Sequence, residues 1–434
     1  MRSYIQLELR SLLASRSLWL LLFLTGPLVG YSLIQAVSLY GEASRPALVT
    51  PQMAAGLNPF DGVIIPTYGS IYLALTLLFP FVAIRTISGD KDSGALRLLL
   101  QTPLRPGALL ASKVVILSFA LFLAELPGLL SLFLWRLLGG HLYAPETLCV
   151  LLGHFLYGLM VIAISLFAAT ISETASTAAL LALACTLGSW VLDFAASGNS
   201  WLSKVSGLSL TAVLKPFEQG LLVWNVVVGI VIAVAGLSVL TLVWWHPGRT
   251  LSVKLKRSAA LLFACIVLYS LSPFLTQSID LTEDQRHSFS PEVSATLRRI
   301  REPMRVTVYL APEDPRLMDF ERSVLTKLHR VLPQTEIVKP ETSQAALFKT
   351  GEDPNYGLIV YEIGARHAES RSTSPEEVLP LLWNLAAIAP PVSENEVAYP
   401  GYPLVVKSSG RAGFLFYVLW PMCSFAGWFL FSRR

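Results

Sequence analysis

Charged side chains are scarce in this 434-residue chain, at 14% of its residues, where a soluble globular protein carries about a quarter. A wholly soluble enzyme is thereby excluded. Cysteine is rarer still: Cys149, Cys185, Cys265 and Cys423 all lie inside apolar stretches. That leaves neither a disulfide framework nor a CxxC metal site, and the four read as small buried apolar residues. No Gly-Lys dipeptide occurs anywhere, so the chain has no P-loop to cradle the phosphates of ATP. His329 and His367 are isolated and no HExxH spacing is present, so no zinc site is written either. The expectation is a chain with no catalytic residue, no metal ligand and no cofactor of its own.

What charge there is lies unevenly. Residues 280 to 411 hold 34 of the 62 charged side chains, with a net of −4, and the other 302 residues hold 28, with a net of +8. The pattern reads as a membrane body plus a water-facing insert, and the overall excess of +4 belongs beside lipid rather than nucleic acid.

A bilayer core of about 30 Å needs roughly 20 helical residues. Charge-free runs of that length occur at Ser17 to Gly41, Gly62 to Ile84, Thr147 to Ser172, Thr174 to Leu192, Gln219 to Gly248, Ser258 to Ile279 and Ala412 to Ser432. An eighth, Val114 to Trp135, is broken only by Glu125. The first run is too long for a signal-peptide core and is expected to be a retained helix. Glu173 alone marks the turn between the fourth and fifth spans. Of the 18 Lys and Arg outside the insert, 14 then fall on the side of the termini, so the positive-inside rule makes both termini cytoplasmic. The expected fold is a polytopic α-helical membrane protein of about eight transmembrane helices, with an extracytoplasmic α/β domain between the last two.

The longest cytoplasmic loop, residues 85 to 113, reads RTISGDKDSGALRLLLQTPLRPGALLASK. Asp92 and Ser93 are placed to cap a short helix with Leu96, Leu99 and Leu100 on one face, and Pro103 ends it. Such a helix either rests on lipid or serves as a peg for a cytoplasmic partner. The order of spans and the match at Ser88, Gly89, Asp90, Lys91, Gly94, Leu98 to Leu100, Pro103 and Lys113 resembles the ABC-2 type permeases. A second stretch, Lys215 to Gly220, is similar to the Phe-Glu-x-x-Gly-type segment of that family with its Gly displaced by one position.

The resemblance implies a coupling helix within residues 85 to 113 that docks on a separate cytoplasmic ABC ATPase, a dimer holding ATP and Mg. Asp90, Lys91, Leu96, Arg97, Leu99 and Leu100 are the residues it assigns to that loop site. It also implies a bacterial cytoplasmic (inner) membrane location and a second permease copy, as homodimer or with a related subunit.

After the run Ser258 to Ile279, the residues Asp280, Leu281, Thr282, Glu283 and Asp284, then Ser288, Ser290, Pro291 and the later VTVYL, resemble the start of GldG, the auxiliary protein of gliding-motility ABC transporters. By that resemblance residues 1–257 form a GldF-like permease body of six spans. Residues 258–279 are a seventh span, 280–411 a shortened GldG-like α/β domain open to a periplasmic partner, and 412–434 the last span. The residues agree with an α/β layer. Ser290 and Pro291 start a helix striped by Val293, Leu297 and Ile300. Val306, Val308 and Leu310 alternate as a strand, Asp319 to Leu332 gives a helical face, Gly357 to Ile363 a strand, and Pro375 to Ile388 a helix disturbed by Pro380. His287 lies near Ser288 and Glu292 in sequence, which by itself makes no triad.

Glu125 sits near mid-span, where a charge costs about 2.5–3.5 kcal/mol on insertion scales, and Pro127 frees a backbone carbonyl beside it. It belongs either to a transport path or permease interface, or to an interhelical hydrogen bond. His154 carries the same two readings, the structural one ahead. Gly26 and Gly30 make a GxxxG pattern, although a kink at the intervening Pro27 is the simpler expectation. The function expected is a permease subunit that couples ATP hydrolysis elsewhere to export or force transmission. Its rival is a non-transporting membrane scaffold or mechanotransmission protein that recruits partners through its external domain.

Overall fold

A computed structural model describes residues 2–196, 209–246, 248–271, 278–311, 314–340, 355–391, 399–405 and 410–432. The chain divides into two compact units, Met1–Leu281 with Pro400–Arg434, and Thr282–Tyr399.

The first unit is helical. A short helix α1 (Arg2–Leu13) leads to α2 (Arg16–Val49), whose cap is Ser15, its hydroxyl accepting from the Leu18 amide. A π turn at Phe60–Ile64 opens a second hydrophobic segment made of α3 (Ile65–Leu77) and α4 (Phe79–Asp92), and the short α5 (Ala95–Gln101) follows. Then come α6 (Pro106–Leu137), α7 (Ala144–Ile171), α8 (Ala175–Ala196), α9 (Leu210–Glu218), α10 (Trp224–Trp245) and α11 (Leu251–Leu271). The C-terminal helix is built of α12 (Gly410–Phe414), a π turn at Leu415–Leu419 and α13 (Trp420–Ser432).

Among the described residues, seven helical segments are long and apolar enough to cross a membrane: Arg16–Val49, Phe60–Asp92, Pro106–Leu137, Ala144–Ile171, Ala175–Ala195, Trp224–Trp245 and Gly410–Ser432. Their ends depart from the expected runs because a helix propagates its backbone hydrogen bonds past the last apolar residue. At about 1.5 Å per residue, the 34 residues of α2 reach roughly 50 Å, so its final turns with Glu42 and Arg45 outrun the hydrocarbon layer. The turn at Glu173 is present: the chain leaves helical geometry at Ser172 and resumes at Ala175.

Two expected boundaries are corrected by a strand pair. Residues Leu221–Val223 form β1 rather than the first turn of the sixth span, and Ser278–Asp280 form β2 rather than the end of the seventh. The two pair antiparallel, Leu221 opposite Asp280 and Val223 opposite Ser278, and the Leu281 amide adds a bond of 2.9 Å to the Gly220 carbonyl. Helix α11 carries Lys254, Lys256 and Arg257 in its first two turns, which keeps it outside the seven. It nonetheless runs back alongside α10. It starts beside the end of α10, where Lys254 Nζ donates to the Trp244 carbonyl at 3.1 Å, and the strand that follows it in sequence pairs with the strand preceding α10.

The C-terminal helix packs along α2, and here the GxxxG pattern acts through packing rather than through a kink. A Cβ at Gly26 would lie 2.0 Å from Trp420 Cδ1, and one at Gly30 would lie 2.3 Å from Phe416 Cβ. The Trp420 indole also donates to the Leu22 carbonyl at 2.6 Å, while α2 continues through Pro27.

The second unit is a four-stranded sheet. Strand β3 (Met304–Val308) lies parallel to β4 (Glu336–Val338) and antiparallel to β5 (Ile359–Ile363), which pairs antiparallel with β6 (Arg366–Ser370), giving the order β4-β3-β5-β6. Helix α14 (Pro291–Leu297) is capped by Ser290. Helices α15 (Pro315–Phe320) and α16 (Thr326–Val331) join through a π turn at Glu321–Leu325, and α17 (Pro375–Ala386) is continuous through Pro380. The core joins Val306, Val308, Ile359 and Tyr361 from the sheet with Leu297, Phe320, Leu328, Val378 and Leu382 from the helices. Strands β4 and β6 went unforeseen because both lie on sheet edges, with little of the inward-outward alternation that marks β3 and β5.

Candidate functional site

One end of the helical unit is organised by a buried lysine. Lys113 lies two turns into α6 and is 1% exposed. Its Nζ is 2.8 Å from Glu8 Oε1 on α1 and 2.6 Å from Asp90 Oδ2 on α4, and it donates to the Thr86 carbonyl at 2.9 Å. All three ammonium donors are thus used, and one side chain ties three helices together. Tyr4 donates to the same Glu8 oxygen; burial and the adjacent carboxylate push its hydroxyl above the ordinary tyrosine range.

The neighbouring Lys91 makes a second clamp. Its Nζ donates to the carbonyls of Ala169, Thr170 and Ser172 at 2.7, 2.6 and 3.0 Å. These are carbonyls at the end of α7, where backbone acceptors lack intrahelical partners and a cation is favoured. Asp90 and Lys91, assigned to the ATPase contact by resemblance, therefore have internal partners that fix α4 against α1, α6 and α7.

Helix α5 hangs from this anchored end. Asp92 and Ser93 do not cap it as expected: α4 runs on through Asp92, and the Ser93 hydroxyl turns back to the Gly89 carbonyl at 2.8 Å. Gly94, left-handed at φ 74°, makes the corner instead. The Leu96, Leu99 and Leu100 face turns inward, with Leu96 buried and the other two packed on the helical core. Outward stand Arg97, Leu98, which is 67% exposed, and Gln101. Thr102 closes the helix on the Leu99 carbonyl just before Pro103.

A second polar group lies within the bundle. Glu125 on α6 is 6% exposed and its Oε1 has no hydrogen-bond partner. Three residues on, α6 meets α3 at Gly128, where a Cβ would lie 3.2 Å from the Tyr68 hydroxyl; that hydroxyl is also buried without a partner. The Tyr68 ring stands edge-on to His154 of α7, with centroids 5.1 Å apart. His154 is fully buried, its Nδ1 faces the Val150 carbonyl at 3.1 Å, and its Nε2 lies 3.9 Å from Glu218 Oε1 of α9. Glu125, Tyr68, His154 and Glu218 thus form a row across α6, α3, α7 and α9. Tyr68 and Glu218 were missed as site residues. The one signal for Glu218 was its place in the Phe-Glu segment, where Phe217 fills the space beside Gly153.

The signature residues serve local structure. Asp280 ends β2, Leu281 extends that pairing, Thr282 is buried, Asp284 pairs with Arg286 at 3.0 Å, and Ser290 and Pro291 start α14. Glu283 has a partner within the structure. Elsewhere in the second unit, Asp314 accepts from the Arg316 guanidinium at 2.8 Å and from the Tyr356 hydroxyl at 2.7 Å. Arg316 beside it holds the Asp314 carboxyl down at about 2. Among the described residues no group of His, Cys, Asp and Glu is arranged to hold a metal ion.

Residues 4–192 match the family model of the ABC-2 family transporter proteins. The matched stretch takes in Glu8, Tyr68, Lys91, α5, Lys113, Glu125 and His154; Glu218 and the second unit lie outside it. No curated protein and no solved structure matches the chain.

Proposed function

We propose, on the premise that residues 4–192 are an ABC-2 transporter domain, that this chain is the membrane permease subunit of an ABC transporter and draws its energy from a separate ATPase. The observation that carries the reading is the mounting of α5. Its leucine face grips the bundle, Arg97, Leu98 and Gln101 face outward, and the helix before it is locked by Lys91 and Lys113 to α1, α6 and α7. A displacement imposed on α5 is then shared by four helices rather than absorbed in a loop.

In this reading ATP and Mg bind the partner subunit, Arg97 and Leu98 make the contact, and the residues around Lys113 form the pivot. Both termini face the cytoplasm of a bacterial inner membrane, and the permease works beside a second copy or a related subunit. The second unit is extracytoplasmic, a shortened member of the gliding-motility class that receives force or delivers it to a periplasmic partner. Glu125, Tyr68, His154 and Glu218 line the path or the surface along which the helices rearrange.

The test is reconstitution of the full chain in nanodiscs with a candidate ABC ATPase encoded beside it. ATP hydrolysis is expected to rise on assembly with the wild-type chain and to fall back to the free-ATPase rate with R97E/L98E, with the folded yield unchanged. Stimulation that survives R97E/L98E removes α5 as the coupling element. Stimulation without movement of any candidate substrate favours the scaffold.

A further inference from the structure

Along one side of the helical unit, α2 and the C-terminal helix part to leave a groove of about 330 Å³, within the size range of ligand sites. Trp19, Leu20 and Phe23 of α2 face Phe425 and Trp428 of α13 across it, and Arg16 stands among its lining residues at the start of α2. The walls are held in place from behind. The Trp19 indole donates to the Leu13 carbonyl at 2.6 Å, Phe431 stacks on its ring at 6.1 Å, and Gly427 leaves room for it, since a Cβ there would lie 2.3 Å from Trp19 Cη2.

Two polar groups at this groove lack partners. Arg16 is exposed and makes no ion pair among the described residues. The Trp428 indole N–H is buried with no acceptor, a cost of about 1–3 kcal/mol that native structures ordinarily avoid. An apolar slot with one free cation and one waiting donor, at the first turn of a spanning helix, complements an amphiphile with an anionic head. Tryptophans on both walls place that head at the depth where indole rings favour the interface.

We propose that this groove is a binding site for one anionic phospholipid, its acyl chain between the aromatic walls, its phosphate on Arg16 and one of its oxygens accepting from Trp428. The proposal rests on the membrane-spanning reading of α2 and the C-terminal helix, and it is independent of any ATPase. The lipid would act as a wedge between α2 and the C-terminal helix, so its occupancy would set how closely they approach.

The experiment is native mass spectrometry of the full chain purified in detergent and titrated with phosphatidylglycerol or with phosphatidylcholine of the same acyl chains. One retained phosphatidylglycerol is expected, favoured over phosphatidylcholine by about fivefold, the worth of roughly 1 kcal/mol for one basic residue meeting an anionic headgroup. R16Q should bring that ratio to one, R16K should keep most of it, and S424L, which narrows the groove from the buried Ser424, should lower retention of both lipids. R16Q with an undiminished preference, or S424L with undiminished retention, overturns the proposal. A change of oligomeric state in S424L with unchanged lipid retention overturns it in favour of a second copy of the chain. Melting curves for R16K and R16Q that match the wild type show that the loss is one of binding and not of folding. Because no ATPase is present, failure here leaves the coupling role of α5 standing.

Discussion

Replacing Lys113 by Met tests whether the charge knot holds the anchored end together. Each of the two ion contacts, at 2.8 and 2.6 Å, has a Coulombic ceiling of about 6 kcal/mol at an effective dielectric of 20, and burying the ions offsets most of that. What the substitution reads is therefore the cost of stranding the carboxylates, about 3–5 kcal/mol for a buried pair broken on one side. The two are not stranded equally: the Glu8 side chain is 8% exposed and Asp90 24%, so Asp90 can turn to water and Glu8 cannot. K113M should lower the thermal midpoint of the full chain in detergent by roughly 5 °C. K113M/E8Q should recover more than half of that loss, and the gap between K113M and wild type should change little with salt because the pairs are shielded from it. A K113M midpoint within about 1 °C of wild type, or an E8Q variant as unstable as K113M, refutes the reasoning.

Three further outcomes are expected. G30L places a side chain where Phe416 already stands 2.3 Å from the ideal Cβ, and overpacking of about 1–3 kcal/mol should appear as a lower midpoint that G30L/F416A partly restores; a neutral G30L contradicts the packing described. K91M leaves the end of α7 without its cation, so amide hydrogen exchange should quicken at residues 169–174 and stay unchanged in the second unit; unchanged exchange would remove the clamp. The second unit should show a linkage to Asp314. Its folded carboxyl sits at about 2, below an unfolded value near 4, so the stabilisation is present above pH 4 and fades as pH falls toward 2. The midpoint difference between wild type and D314N should accordingly be largest near pH 6 and shrink below pH 4, and a difference that grows on acidification has the wrong sign for this pairing.

The apolar runs made the bundle legible, because spanning a bilayer imposes a length and a composition that few other structures share. They did not show where helix gives way to strand. Leu221–Val223 and the Ser278–Ile279 part of β2 continue uncharged stretches, and a short run of that kind reads the same as helix or as extended chain. The periodicity of Leu96, Leu99 and Leu100 marked a real face, yet periodicity says only that a face is apolar, not what it meets. Lys113 ended a loop motif in the sequence and became the centre of a site in the structure, through partners 105 and 23 residues away. Such pairings are tertiary, and no local spacing encodes them. The same holds for Tyr68, whose neighbours Gly128 and His154 arrive from other helices.

The seating of Trp420 and Phe416 on Gly26 and Gly30 also sets an order in time. A chain is synthesised from its N-terminus at about 5–20 residues per second, so roughly 20–70 s pass between completion of α2 and arrival of the helix that fills its glycine notches. During that interval the notches face lipid or are covered by something temporary, and the helical unit reaches its final packing only after Thr282–Tyr399 has been made. Joining both partners in one polypeptide gives the late helix a high local concentration beside its seat. It also makes truncation anywhere before residue 410 a defect of α2 as much as of the helix that is lost.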